Sequence, residues 1–354
     1  MMRCILAALL CLAFALLLPV AAPRLTAALA PDVGPGNPET GAVREEDAVP
    51  AALILPGADR RASVTLLRNG RVTEMTLAEY LPGVLAGEMP AGFEPQALRA
   101  QAVAARTFAV FHARRGTAAH PEAALCADPA CCQVWLGEDE LRDRWGEGFE
   151  ANMARIRSAV EDTDGVCLTY GGEPILACFH SSSPGQTENS AAVWGTSLPY
   201  LVSVDSPETA ADVPDFISTV EIAPEDFREV ILSAYPRCAI TEALPPDWLG
   251  SRTLDTGGRV ASIRVGGTPI SGTKMRSLFS LRSACFDLVW TGHSFLFTVT
   301  GYGHGAGMSQ YGANVMAREG QTWPEILAHY YPGTRLDVWE GMEKQIPTPV
   351  TGSE

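Results

Sequence analysis

The spacing of apolar residues predicts a short helix whose apolar face ends in an acid. Five positions recur at the intervals that share one helix face: Leu77, Leu81, Val84, Leu85 and Glu88. Thr76, with Glu79 three residues later, forms the pattern of a capping box at the start of this segment, and Pro90 predicts its end. Because the stripe should face protein, Glu88 is predicted at the edge of the core.

A second predicted helix follows almost at once and is rich in alanine. Pro95 suits a first-turn position, the segment runs from about Gln96 to Arg114, and Gly116 is a natural stop. Its alanines leave little bulk on any face: Ala97, Ala100, Ala102, Ala104, Ala105 and Ala109. Since small residues let neighbouring elements approach closely, we predict a buried central helix packed on antiparallel strands.

The remaining pattern predicts a mixed α+β fold with two lobes and a cleft between them. Ser63–Leu67 and Arg71–Met75 are predicted strands joined by Asn69-Gly70, a strong hairpin turn. Residues 204–256 carry strand and helix pieces among many prolines, which predicts an insertion or second lobe. Further elements are expected downstream: two helices within 137–161, a strand hairpin over 165–179, a strand over 295–300, and helices over 308–318 and 323–331.

The N-terminus has the pattern of an export signal. Arg3 precedes an apolar run from Ile5 to about Ala22, and the run is also near the length that spans a bilayer. A cleaved signal peptide and a retained anchor are both compatible with it, so we expect an exported protein, anchored or secreted, at the extracytoplasmic face of the membrane. The predicted segments are a signal or anchor over 1–30, a linker rich in Pro, Gly and acid over 31–60, a folded domain over 61–342 and a tail over 343–354.

Composition narrows the class of partner. The chain has 354 residues, a net charge of −15 and an apolar fraction of 47%, so it can build a core and has no charge-based attraction to nucleic acid. Its nine cysteines include Cys4 and Cys11 in the N-terminal segment, which leaves seven. An odd number in an exported protein indicates a free thiol, a metal site or an intermolecular bridge.

Four residues whose side chains can bind a metal, one histidine and three cysteines, lie within thirteen residues of loop sequence. His120, Cys126, Cys131 and Cys132 offer one imidazole and three thiols, a donor set that can close a tetrahedral zinc site. Such a site would have no open position and would be structural. A disulfide, for example between Cys126 and Cys132, is the alternative that an oxidising compartment favours.

Glu88 is the candidate with the clearest chemistry. Burial raises the pKa of a carboxyl group, and a carboxyl that stays protonated near neutrality can act as a general acid. Spacing alone leaves a glutamate that bends out to solvent, or one paired with a cation, as the simpler alternative. Gln101 and Arg106 lie among the alanines of the second helix, and a guanidinium there needs a carboxylate or a ligand. Direct pairing of Arg106 with Glu88 would lower the pKa of Glu88, so we expect Arg106 to hold another acid or a ligand.

Three further segments offer polar or aromatic groups. The segment Phe179–Asn189 is rich in small hydroxyl and amide side chains, among them Ser182 and Thr187, and Tyr200 follows it closely. In Gly301–Gly307 every second residue is glycine, which predicts a ligand lying close to the backbone beside Tyr302 and His304. Each of these features is also common in solvated turns and ordinary cores. A cysteine nucleophile at Cys178, with His180 or His304, is a weaker alternative because Cys178 has the surroundings of a buried strand thiol.

Taken in order, these segments resemble the stage II sporulation protein D family, which is related to amidase-enhancer proteins. The resemblance spans about residues 62–340 and rests on seven stretches: Glu79–Pro90, Ala97–Thr107, Thr187–Asn189, Val193–Gly195, Leu198–Leu201, Gly303–Ala313 and Tyr330–Thr334. Because several motifs agree in order, the resemblance is strong.

The resemblance implies a lytic transglycosylase that cuts peptidoglycan glycan strands during engulfment in sporulation, with its catalytic glutamate at Glu88. It also implies zinc at His120, Cys126 and Cys132 in some members, with Cys131 here in a place where members often carry histidine. No organic cofactor is expected. The expected partners are glycan strands, with an amidase or a membrane protein as further candidates. We expect the following residues to bind substrate: Gln101, Arg106, Ser182, Thr187, Tyr200, Tyr302, His304 and Gln310.

Two other functions stay open at this point. One is a hydrolase of the lysozyme type, which needs a second carboxyl group at about 5–9.5 Å, for which Glu188 is the candidate. The other is a non-catalytic wall-binding protein that enhances an amidase.

Overall fold

The computed structural model describes residues 54–240 and 244–339. The predicted signal or anchor over 1–30, the linker up to residue 53 and the tail over 343–354 lie outside these residues. Across the described ranges, no helix combines the length and the apolar character that a membrane span requires.

Helices and small sheets alternate along the described chain, which confirms the mixed α and β class. The helices are α1 (Ala58–Arg61), α2 (Leu77–Glu88), α3 (Pro95–Arg115), α4 (Glu138–Trp145), α5 (Phe149–Glu161), α6 (Ser190–Trp194), α7 (Pro224–Ala234), α8 (Gly272–Leu278), α9 (Gln310–Arg318) and α10 (Trp323–Tyr330). Single 3₁₀ turns cover Gly146–Gly148 and Pro245–Trp248. The strands are β1 (Ser63–Arg68), β2 (Arg71–Thr76), β3 (Leu125–Cys126), β4 (Val166–Tyr170), β5 (Glu173–Pro174), β6 (Phe179–His180), β7 (Ile217–Ile222), β8 (Leu249–Leu254), β9 (Val260–Val265), β10 (Thr268–Ile270), β11 (Phe286–Trp290), β12 (Phe295–Thr300), β13 (Met308–Ser309) and β14 (Arg335–Val338).

The strands form five small sheets, in the orders β2-β1-β3, β10-β9-β8, β11-β12-β7, β13-β6 and β14-β4-β5. Most pairs are antiparallel, while β1–β3 and β13–β6 are parallel. The first hairpin has the register Ser63↔Thr76 to Arg68↔Arg71, and its turn uses Asn69 and Gly70 at positive φ, as the sequence predicts.

The first of two hydrophobic cores surrounds α3. The alanines of this helix are buried along its length, so α2, α5, α9, α10 and β4 all pack against it. Thr76 caps α2 in a capping box with Glu79, which confirms the predicted start of that helix. This core therefore holds the end of α2, and with it Glu88, in a fixed position.

The second core is built from aromatic residues of β12, α7 and the segments between them. Phe227 stacks on Phe295, with ring centroids 4.2 Å apart, and the core extends from Phe227 to Val299. The predicted insertion over 204–256 therefore covers only part of the segment that builds the second core. Its first residues belong elsewhere, since the Ser206 hydroxyl bonds Tyr330 of α10.

Two predicted elements differ in detail. The predicted helix over 308–318 begins at Gln310, because Met308 and Ser309 pair with β6 instead and the Ser309 side chain caps the helix. The predicted second strand of the 165–179 hairpin is reduced to β5, and Phe179 joins the separate β6–β13 pair.

Candidate functional site

Glu88 is the last residue of α2, and its two carboxylate oxygens have different surroundings. Oε1 accepts a hydrogen bond from the backbone N–H of Val134 at 2.7 Å. Oε2 lies 3.5 Å from the side-chain nitrogen of Gln310, the first residue of α9. The carboxylate is half-buried, and among the described residues it forms no ion pair.

Burial raises the pKa of Glu88 to about 7, against the opposing effect of the hydrogen bonds from Val134 and Gln310. A carboxyl group with this pKa is protonated in about half of the molecules at pH 7. Glu88 can therefore give a proton and take one back near neutrality, which suits a group that serves as acid and then as base.

Arg106 pairs with an acid other than Glu88. Its guanidinium donates to both oxygens of Asp59, at 2.8 Å from Nε and 2.7 Å from Nη2, and also to the carbonyls of Val160 and Val166. The side chain is 1% exposed. This burial contradicts the prediction that Arg106 binds substrate and confirms that it holds another acid. Asp59 falls in the predicted linker over 31–60, so that linker ends before α1.

Four other predicted ligands are buried inside the protein. Gln101 is 0% exposed, with neither amide atom bonded to a described residue, and Ser182 is 2% exposed, with backbone bonds to Tyr302. The Thr187 hydroxyl accepts from the N–H of Val204. Tyr200 is also buried, and its hydroxyl accepts from a backbone N–H. These side chains shape loops, and the structure does not present them to a substrate.

The glycines of the Gly301–Gly307 loop accommodate protein atoms and not a ligand. A Cβ on Gly303 would lie 2.6 Å from the Cβ of His180, and one on Gly305 would lie 2.6 Å from the guanidinium of Arg259. A Cβ on Gly307 would lie 2.0 Å from the carbonyl of Cys178. The prediction of a ligand lying against this backbone is therefore wrong, because these approaches are made by the fold itself.

His304 is nevertheless placed beside an exposed aromatic residue, and Tyr302 is itself exposed. Tyr302 is 46% exposed and Trp194 is 47% exposed, and the Trp194 ring lies 5.1 Å from that of His304. Burial lowers the pKa of His304 to about 4, so the imidazole is neutral at physiological pH. Tyr302 and His304 are the predicted ligands that stay available, whereas Gln310 is 6% exposed and lies against the Glu88 carboxylate.

Glu188 does not provide a free second carboxylate. It is 2% exposed, and its Oε2 lies 3.7 Å from the Arg259 guanidinium, while Oε1 accepts from the N–H of Asn189. Burial and the neighbouring Asp255 raise the pKa of Glu188 to about 7. It forms a buried ion pair with Arg259, and no hydrogen bond or ion pair joins it to Glu88 among the described residues.

Cys178 is a buried thiol whose pKa is raised to about 12 by burial. Because the thiolate is the nucleophile, this thiol is unsuited to nucleophilic catalysis. The alternative of a Cys178 nucleophile is therefore not supported.

His120, Cys126, Cys131 and Cys132 come together as the sequence predicts. Their ligand atoms all lie within 4.8 Å of one another, and all seven cysteines of the described chain are free thiols. The Nδ1 atom of His120 bonds the carbonyl of Ala123 at 2.8 Å, which leaves Nε2 facing the Cys132 sulfur at 3.3 Å. A histidine held in this way presents its other nitrogen as a metal ligand.

The buried hydroxyl of Tyr80 lies within electrostatic reach of this cluster. Tyr80 is 0% exposed, and its oxygen finds no hydrogen-bond partner among the described residues. Burial raises the pKa of Tyr80, and Cys132, Glu88 and Cys126 raise it further through their charges. Tetrahedral ligand separations of about 3.5–4 Å are compatible with the four ligand atoms, which lie within 4.8 Å of one another.

The sequence does not single out Val134 and Arg259, which have central places in the structure. Val134 acts through its backbone N–H, which leaves no signature in side-chain type. The spacing of Gly83 and Gly87, which share one face of α2, could have indicated that another segment packs closely against that face. Arg259 is an isolated arginine, and only the fold brings it to Glu188.

Comparisons with known proteins identify the family of this chain. The family model described as stage II sporulation protein matches residues 68–170. The chain is 37% identical to stage II sporulation protein D of Bacillus subtilis (strain 168) over 300 residues, which cover 84% of this chain and 85% of that protein. It is 37% identical to the protein of the same name from Bacillus amyloliquefaciens over 76% of each chain. It is also 27% identical to the amidase enhancer of Bacillus subtilis (strain 168), over 72% of this chain and 40% of that protein.

The matched residues include α2, α3 and the cysteine cluster. This chain therefore belongs to the stage II sporulation protein D family.

Proposed function

We propose that this protein is a lytic transglycosylase that cleaves the bond between N-acetylmuramic acid and N-acetylglucosamine in peptidoglycan. The observation that carries the proposal is the environment of Glu88. One carboxyl group has a pKa raised to about 7 by burial, and no neighbouring carboxylate is among the causes of that shift. A hydrolase of the lysozyme type requires a pair, whereas lytic cleavage does not.

The chemistry balances with one acid. Protonated Glu88 gives its proton to the glycosidic oxygen as the bond from that oxygen to the anomeric carbon breaks. The 6-hydroxyl oxygen of the same muramic sugar then bonds to the anomeric carbon, and its proton returns to the Glu88 carboxylate. The product carries a 1,6-anhydro end, no water is consumed, and the enzyme regains its starting protonation state.

We propose that the glycan strand lies along the loop between His304 and Gln310, in the cleft that the sequence predicts between two lobes. Trp194, Tyr302 and His304 offer aromatic faces and polar edges of the kind that pack on sugar rings. Gln310 links this surface to Glu88 through its contact with Oε2. No charged ligand is needed next to the reacting bond, which leaves the raised pKa of Glu88 intact.

Product analysis tests the reaction. The purified ectodomain is incubated with glycan strands, with and without their stem peptides, and the products are examined by mass spectrometry. We expect anhydro ends, which are lighter than hydrolytic ends by one water. Reducing-end sugars would show that water is the acceptor and would overturn the transglycosylase assignment.

We further propose that the protein acts outside the cytoplasm during sporulation. This rests on the N-terminal apolar run and on the relatives named for sporulation. Glycan strands are the proposed substrate, and an amidase or a membrane protein is the proposed partner, since one relative is named an amidase enhancer.

We also propose that His120, Cys126, Cys131 and Cys132 hold one structural zinc ion. The free thiols, the oriented imidazole and the close approach of the four ligand atoms support it. One imidazole and three thiolates fill the four positions that zinc prefers. No coordination position is left for substrate, so the ion would stabilise the loop that leads to Val134.

Metal analysis checks this proposal. We expect about one zinc ion per chain and its loss, with a lower melting temperature, in Cys126→Ser. Cys285→Ser is the matched control, since Cys285 is a free thiol outside the cluster, and its zinc content should be unchanged. A Cys126–Cys132 disulfide in the purified protein, or full zinc occupancy in Cys126→Ser, would contradict the site.

A further inference from the structure

The segment Gln133–Leu136 lies across α2 at two glycines. A Cβ on Gly83 would lie 2.6 Å from the carbonyl of Leu136, and one on Gly87 would lie 2.8 Å from Cγ1 of Val134. The two glycines are four residues apart and so share one helix face. This face is flat enough for a strand-like segment to touch the helix backbone.

Hydrogen bonds hold the segment at several points. The N–H of Leu136 donates to the carbonyl of Gly83 at 3.2 Å. The indole N–H of Trp135 donates to the carbonyl of Tyr80 at 3.2 Å, and the Gln133 amide donates to a carbonyl of α3 at 3.3 Å. Each residue of the segment other than Val134 thus bonds a helix backbone, and Val134 alone bonds the Glu88 side chain.

The Val134 bond makes the two oxygens of Glu88 unequal. A backbone N–H can only donate, so Oε1 must act as an acceptor at 2.7 Å. In the protonated acid the proton is therefore on Oε2. The Gln310 nitrogen lies 3.5 Å from Oε2, at the outer limit of a hydrogen bond, so Oε2 is left free to meet a glycosidic oxygen.

We propose that Val134 is a positioning residue for the reaction, whose backbone N–H fixes Oε1 of Glu88 as the acceptor and Oε2 as the oxygen that delivers the proton. Gly83 and Gly87 are what allow the segment to reach that position. This inference rests on the proposed function, since it assigns the geometry of the same acid. It makes Gly87 a requirement of the reaction although its own atoms touch no reacting group.

Gly87→Ala tests the inference by pushing Val134 away from Glu88. Alanine is a better helix former than glycine, and the nearest atoms that the added Cβ would meet all belong to Val134. We expect kcat/KM to fall by about 10- to 100-fold, as misplacement of a reacting group typically costs. The Val134 bond holds the pKa of Glu88 down, so its loss raises that pKa. Activity that needs protonated Glu88 falls as pH rises through its pKa, and this falling limb should move up by about one pH unit.

Matched variants separate positioning from general damage. Gly92→Ala is the control, because a Cβ there meets nothing within 4 Å, and it should leave the rate and the pH profile unchanged. The double variant Gly87→Ala, Val134→Ala removes the Cγ1 contact and should move the limb back toward the wild-type position. If Gly87→Ala does not fold, Val134→Pro, which has no N–H to donate, should give the same upward shift.

A lower rate with an unmoved pH limb in Gly87→Ala, or in Val134→Pro, would overturn the inference. A double variant whose falling pH limb stays at the pH found for Gly87→Ala would also overturn the inference. A different result tests the proposed function. If Glu88→Gln cleaves glycan fully, Glu88 is not the acid of the reaction. The Gly87→Ala series, in contrast, compares enzymes that all keep Glu88.

Discussion

Glu88→Gln is expected to abolish glycan cleavage, with a loss of about 10²- to 10⁴-fold or more in kcat. Glutamine has nearly the same shape as glutamate, and its side-chain oxygen can still accept from the Val134 N–H that now binds Oε1. The amide cannot release a proton to the leaving oxygen. The variant therefore removes the proposed proton transfer while it preserves the hydrogen bond that positions the side chain. Steady-state cleavage of purified glycan strands measures the effect.

The thermal stability of Glu88→Gln provides a control for its loss of activity. The pKa of Glu88 is raised to about 7 in the folded protein, above the value of about 4.3 for an exposed glutamate. Above that unfolded value the unfolded chain releases the proton more readily, so ionisation of Glu88 favours unfolding. This destabilisation is absent below about pH 4, grows as pH rises to about 7, and is constant above that pH. Glu88→Gln should keep or raise the melting temperature at pH 8, so its inactivity would not reflect unfolding.

The same variant separates the two classes of function. If it cleaves glycan as well as the wild type, Glu88 is not the catalyst. If the wild type itself cleaves nothing but stimulates an amidase, and Glu88→Gln stimulates equally, the protein is an enhancer like the relative of that name.

The largest effect on stability is expected at Asp59. Asp59→Ala leaves the Arg106 guanidinium buried without its carboxylate, and the two side chains are only 4% and 1% exposed. Removing one partner of a buried ion pair costs about 3–5 kcal/mol in the free energy of unfolding. Carbonyls of Val160 and Val166 still accept from Arg106, but they do not neutralise its charge. Urea unfolding followed by circular dichroism measures the loss.

An exposed ion pair gives the matched comparison. Arg99 and Asp162 are 2.7 Å apart, with side chains 26% and 40% exposed, and Asp162→Ala should cost no more than about 1 kcal/mol. The double variant Asp59→Leu, Arg106→Met should recover much of the loss, because apolar residues replace both charges. A cost for Asp59→Ala as small as that for Asp162→Ala would contradict the role of the buried pair.

Local pattern predicted the elements that position the site. The stripe that ends at Glu88 and the capping box at Thr76 depend on residues within a few turns of helix, so the start and face of α2 could be read from spacing. The alanines of α3 likewise predicted a buried helix. Turn chemistry at Asn69-Gly70 predicted the first hairpin. Each of these features is set by interactions that are short in sequence.

The partners of polar side chains were harder to predict. The sequence predicts that Arg106 needs an acid or a ligand, but Asp59 lies 47 residues earlier, in a stretch whose composition resembles a linker. The glycines of the Gly301–Gly307 loop suggested close approach, and the sequence could not say that His180, Arg259 and Cys178 make that approach. Residue type states which bonds a group requires, while chain topology decides which group supplies them.

The sequence by itself determined an acid at the end of an apolar helix face, a cluster of one histidine and three cysteines, and a chain of mixed α and β elements. Only the tertiary structure decided that Glu88 lies free of Arg106, half-buried, with Val134 on one oxygen and Gln310 near the other. The pKa of a carboxyl group depends on desolvation and on the donors and charges around it. Val134 and Gln310 lie 46 and 222 residues away in sequence, so the chemistry of Glu88 is fixed only when the chain folds.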